Sequence, residues 1–114
     1  MQRRHRLSRS RDFDAVYRRG RSVSTRFLVL WVLPRDDDGE PRLGIAVPKG
    51  NGTAVERNRV KRRLREGWRE RVERIPAGRD YILVARAPFA ETLAANDADW
   101  LAERLDELLG KAAA

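Results

Sequence analysis

The chain has 114 residues, with 25 Lys or Arg against 17 Asp or Glu, one histidine and no cysteine. That length supports a single domain, residues 1–114, and the missing thiols exclude disulfides, thiolate metal sites and cysteine nucleophiles together. The longest apolar run, Phe27 to Leu33, is too short to cross a bilayer or act as a signal core, so a soluble, cytoplasmic, monomeric protein is the expectation.

The formal charge of +8 is unevenly spread. Residues 1–26 hold nine Arg and two Asp, residues 54–75 hold nine Lys or Arg and four Glu, and the remainder is acidic. A basic excess confined to two segments describes a surface built for a polyanion.

Residues 1–8 read as a mobile basic tail. Ser10 is placed to cap a short helix in which Phe13, Val16 and Tyr17 share a face and Gly20 supplies the stop. From Val23 to Leu33 the chain is β-branched and aromatic, which predicts one strand, central in the sheet because its last seven residues are continuously apolar. Pro34 and the run Asp36-Asp37-Asp38-Gly39 read as a hairpin connection. On the returning strand Leu43, Ile45 and Val47 alternate with Gly44 and Ala46, so one face is bulky and the other permits close approach.

Pro48 to Gly52 is a break that carries Lys49. Thr53-Ala54-Val55-Glu56 then has the form of a capping box, and it opens the segment RNRVKRRLR, with six cations in the nine residues Arg57 to Arg65. Val60, Leu64, Trp68, Val72 and Ile75 share one face, which predicts a helix over 54–75, roughly 33 Å long at about 1.5 Å per residue, ended by Pro76-Ala77-Gly78. Arg59, Arg62 and Arg69 lie opposite that stripe. Arg57 and Lys61 fall on its own meridian, so the first turns are expected to overhang the sheet edge. Tyr81 to Ala85 reads as a strand. A last helix from about Asp97 carries Leu101, Leu105 and Leu108 on one side, stops at Gly110 and leaves 111–114 as a mobile alanine-rich tail. If the strands flanking the basic helix are parallel neighbours, that helix is a crossover connection.

No acid within Arg57 to Arg65 relieves the repulsion there, which favours a nucleic-acid surface over a solvated face. In the second half of the helix Glu66, Glu70 and Glu73 are available to neighbouring arginines. Pro76 and Gly78 exclude a basic zipper, whose heptads would have to continue. By spacing alone Phe13, Tyr17 and Trp31 are core residues, but their basic surroundings open a second reading as stacking platforms for single-stranded bases. The acidic run reads as an exposed loop rather than a Mg²⁺ site. With one histidine, His5, and no nucleophile or acid–base constellation, the sequence offers neither a catalytic residue nor a metal ligand set.

The segment VPKGNGTAVERNRVKRRLRE, Val47 to Glu66, resembles the signature region of the bacterial ribonuclease P protein component, most specifically in Arg57-Asn58-Arg59 followed by VKR. The resemblance extends to RLSRSRDFDAVYRRGRS from Arg6, to FLVLWVL, to RLGIAVPK and to DYILVAR. It implies a small two-layer α/β (α+β) sandwich in helix-strand-strand-helix-strand-helix order with a left-handed βαβ crossover. It further implies a protein that joins a catalytic RNA, which with its Mg²⁺ ions removes the 5′ leader from precursor tRNA. By the same resemblance Arg57, Asn58, Arg59, Lys61, Arg62, Arg63 and Arg65 contact the RNA, Lys49 belongs to their neighbourhood, and Phe13, Tyr17 and Trp31 line a cleft for the single-stranded leader. Gly50 stands where a second lysine is common and Thr53 where asparagine is common, which removes one RNA contact and keeps a helix cap. Two other readings remain: a ribosomal or other structural RNA-binding protein, and a protein endonuclease using His5 and the acidic loop.

Overall fold

The structure is a computed structural model that describes Arg6, Leu7 and residues 9–113. His5, the one histidine, and most of the expected basic tail lie outside the described residues. Helix α1 (Ser10–Arg19) leads into strands β1 (Arg21–Ser24), β2 (Leu28–Pro34) and β3 (Arg42–Ala46). Helix α2 (Ala54–Arg69) follows, then β4 (Arg79–Ala85), α3 (Phe89–Ala94) and α4 (Ala98–Ala113).

The four strands form one sheet in the order β1-β2-β4-β3. β2 is interior, as its apolar run requires, and β3 pairs with β4 in parallel, so α2 is a crossover between neighbouring strands. Leu28, Leu30 and Val32 of β2, with Leu43, Tyr81 and Leu83, point to one face and pack with Val60, Leu64 and Trp68 of α2 and Leu101, Leu105 and Leu108 of α4. That sheet-and-helix packing is the mixed α+β architecture expected. On the opposite face α1 adds a smaller cluster, in which Leu7, Val16 and Ile82 are buried.

Several local expectations change. The predicted strand Val23 to Leu33 is two strands of an antiparallel pair, turned at Thr25 to Phe27 and held by the Thr25 amide donating to the Leu28 carbonyl at 2.9 Å. Pro34 to Gly39 is no hairpin, because β4 is inserted between β2 and β3. Instead the Arg35 amide donates to the Gly78 carbonyl at 2.7 Å and the Gly78 amide to the Gly39 carbonyl at 2.6 Å, which ties this loop to the start of β4. Gly78 has φ 69°, where a side chain would be strained. Ser10 is the first helical residue of α1, and no side chain caps that helix.

α2 ends at Arg69, so its length is about 24 Å rather than 33 Å at about 1.5 Å per residue. At its end the Arg71 amide tightens onto the Trp68 carbonyl (2.9 Å), and the guanidinium of Arg71 takes the Gly67 carbonyl left free, also at 2.9 Å. Gly110 stops nothing, because α4 runs on to Ala113, and the tail expected to be mobile is helical through that residue. Arg6 and Leu7 likewise leave the expected tail: Arg6 bridges to Leu43 beside β3, and Leu7 is 3% exposed. Helix α3 is an addition the periodicity did not show.

Candidate nucleic-acid interface

α2 starts where the sequence places it. Thr53 accepts a hydrogen bond from the Glu56 amide and Glu56 returns one from the Thr53 amide, both at 3.2 Å, completing the capping box. This bond holds the Glu56 carboxyl below its usual range. The entry turn is fastened from below by Asn51, which is 3% exposed. Its Nδ2 donates to the Ala85 carbonyl at 3.1 Å and its Oδ1 accepts from the Ala90 amide at 3.0 Å, so the loop of Lys49 is tied to the end of β4 and the start of α3. Sequence reasoning passed over Asn51; a polar residue between two glycines gives no sign that it will be buried.

Asn58, Arg59, Arg62 and Arg69 are exposed, whereas Arg57, Lys61, Arg63 and Arg65 are half-buried along the two flanks of the apolar stripe. Arg59 and Arg63 border a groove against Ala90, Leu93 and Ala94. Among the described residues none of the six cations from Arg57 to Arg65 makes an ion pair. The acids expected to serve the second half of the helix do so only through Glu70, 3.8 Å from Arg71; the main partner of Arg71 is Asp106 on α4, at 2.7 Å.

On the other face α1 crosses the rung Gly44–Ile82–Trp31. Phe13 stacks edge-on to Tyr17 (centroids 6.4 Å apart), and Tyr17 edge-on to Trp31 (5.4 Å). Tyr17 remains 39% exposed, and burial of the rest raises its hydroxyl pKa. The next rung, Ala46–Val84–Val29, is half-buried and extends the same strip toward the ends of β3 and β4. All three aromatic candidates are thus brought together, with Phe13 and Trp31 half-buried. Beyond that end of the sheet lie exposed Lys49 and the start of α2, joined by exposed Arg26 and Arg86, which were not among the candidates. The signal for the latter two was their position flanking an apolar run: Arg26 directly precedes Phe27 and Arg86 directly follows Ala85.

The acidic loop is engaged internally. Arg35 donates to Asp37 at 2.9 Å and to Asp80 at 2.8 Å, and this hydrogen bonding, with the Gly39 amide, holds Asp37 below the usual carboxylate range. Among the described residues no cluster of His, Cys, Asp or Glu is arranged to hold a metal ion. No described helix is long and apolar enough to cross a membrane.

Comparison with known proteins places this geometry in a family. The chain matches the family model described as Ribonuclease P over residues 1–113. The ribonuclease P protein component of Halalkalibacterium halodurans is 42% identical over 91 residues, covering 80% of this chain and 76% of the relative. That of Geobacillus kaustophilus is 38% identical, covering 80% and 75%. The solved RNase P protein of Staphylococcus aureus superposes with TM-score 0.83 at 31% identity, over 95% of this chain and 94% of that one. The RNase P protein from Thermotoga maritima gives 0.84 at 32%, over 93% and 96%. The chain therefore belongs to the family of ribonuclease P protein components.

Proposed function

We propose that this chain binds the catalytic RNA of ribonuclease P through the start of α2 and holds the single-stranded 5′ leader of precursor tRNA against Phe13, Tyr17 and Trp31. In this reading Lys49, Arg57, Asn58, Arg59, Lys61, Arg62, Arg63 and Arg65 are the RNA-facing set. Hydrolysis belongs to the RNA and its Mg²⁺ ions, and the protein raises substrate affinity and helps those ions bind. The observation that carries the reading is a helix start beyond one end of the sheet, whose run Arg57 to Arg65 holds no acid, together with an aromatic strip on the opposite face that the half-buried rung Ala46–Val84–Val29 extends toward that same end.

The division of labour follows from the side chains. Unpaired cations supply the long-range attraction and displace counterions from phosphates. Aromatic faces stack bases with little regard to sequence, which suits a leader that differs between substrates. The compartment expected for such a particle is the cytoplasm, and the isolated protein is expected to be a monomer.

Reconstitution tests the proposal. Adding the purified protein to the catalytic RNA lowers the Mg²⁺ concentration needed for leader removal and raises affinity for precursor over mature tRNA. Unchanged cleavage at limiting Mg²⁺ would refute it. Equal affinity for precursor and mature tRNA would instead support a structural RNA-binding role.

A further inference from the structure

We propose that Arg6 and Arg65 form a phosphate clamp at the outer edge of β3, ending a row of cations, Arg57, Lys61 and Arg65, that follows one strand of the RNA backbone. The clamp rests on the RNA-binding reading above and adds to it a residue and a direction.

Arg6 is positioned by backbone pairing. The Leu7 amide donates to the Leu43 carbonyl at 2.9 Å, and Arg6 forms a parallel bridge with Leu43. The Leu7 side chain is buried with Val16 and Ile82, on the α1 side of the sheet. Successive side chains of an extended segment point to opposite faces, so Arg6 turns to the α2 side, where Leu43 packs with Val60 and Leu64. Because β3 is an edge strand, Arg6 stands outside the sheet beside the helix.

The helix meets it there. Arg57, Lys61 and Arg65 recur every four residues, about 6 Å apart along an axis rising about 1.5 Å per residue, and the row drifts from the meridian of the apolar stripe at Arg57 to its flank at Arg65. The opposite flank, with Arg59 and Arg63, faces α3. Arg57, Lys61 and Arg65 are half-buried, and Arg57 Nε has neither solvent contact nor a hydrogen-bond partner. Burial pulls the Arg65 guanidinium below its ordinary pKa, and the positive charge of Arg6 pulls it further. Arg6 is exposed and Arg65 half-buried, and among the described residues neither makes an ion pair, so the two like charges repel in the free protein. An anion between them removes that repulsion and takes up their unfilled donors. A ladder of phosphates answers the one-turn repeat of the row, whereas a lone anion answers only its end.

The test uses the full chain and the catalytic RNA, with affinity measured against salt. Arg6→Gln and Arg65→Gln should each lower the slope of log affinity against log salt by roughly 0.7 to 0.9, the value of one phosphate contact. The double variant should lose less than the two singles combined, because both cations hold one phosphate, and Arg6→Lys should keep the slope. An unchanged slope for Arg6→Gln, tighter binding through relief of repulsion, or full additivity in the double variant overturns the clamp. Arg59→Gln and Arg62→Gln run alongside. If they weaken binding while Arg6→Gln does not, the clamp alone falls; if they too leave affinity unchanged, the RNA-binding reading falls. Melting curves on each variant separate these outcomes from misfolding.

Discussion

The ring of Phe13 rests on the bare Cα of Gly44: a Cβ built on that glycine would stand 2.4 Å from Phe13 Cζ. The seat of α1 is therefore set by a side chain that β3 lacks. Tyr17 and Trp31, next in the edge-to-face chain of rings, inherit their positions from it.

Gly44→Ala should accordingly displace Phe13 and cost about 1–3 kcal/mol through overpacking, read as a lower melting temperature. In the reconstituted complex it should also reduce the preference for precursor over mature tRNA while leaving the salt slope of RNA binding intact. A variant with unchanged stability and unchanged preference would show that the seat is not needed.

Charge and stacking should separate in mutants. Arg59→Ala weakens RNA binding and lowers the salt slope by about one unit for the lost phosphate contact, whereas Tyr17→Ala leaves that slope nearly unchanged and weakens leader-dependent affinity. Filter-binding titrations over a salt series measure both, and equal slope changes in the two variants contradict the division.

Asn51 should prove to be the fastening of the RNA-facing end. Asn51→Ala removes the partner of the Ala90 amide and of the Ala85 carbonyl, both at the end of the sheet where Lys49 stands. The expected loss is about 1–3 kcal/mol for buried groups left unpaired, with faster hydrogen exchange at the Ala90 amide. Denaturant unfolding and exchange rates check this, and a neutral substitution would mean that water replaces the side chain.

Acid should loosen the contact between α4 and the segment that follows α2. The Asp106 carboxyl is held below its usual range, first by the Arg71 hydrogen bond and then by that of Arg74. A group whose folded pKa is depressed contributes stability above its unfolded pKa and loses it as pH falls through the folded value. Asp106→Asn should therefore flatten part of the acid limb in denaturant midpoints taken from neutral to acid pH. At neutral pH its effect should be small, because the pair is solvent-screened. An acid limb identical to that of the unmodified chain contradicts the assignment.

Much of the candidate site was legible along the chain because its determinants are local. The capping box needs only Thr53 and Glu56 three residues apart, and the buried stripe of Val60, Leu64 and Trp68 needs only a helical period. The alternation of Gly44 and Ala46 with bulky residues likewise announced a close approach, though not that Phe13 would make it.

By itself, then, the sequence determined a capped helix whose basic run Arg57 to Arg65 holds no acid, an aromatic first helix and an interior strand, since each depends on contacts within a few residues. Only the tertiary structure decided that β4 enters between β2 and β3, that the acidic loop folds onto Arg35, and that Arg6 leaves the tail to stand beside α2. Those outcomes depend on which distant backbone groups and apolar faces satisfy one another, and no local period records that choice.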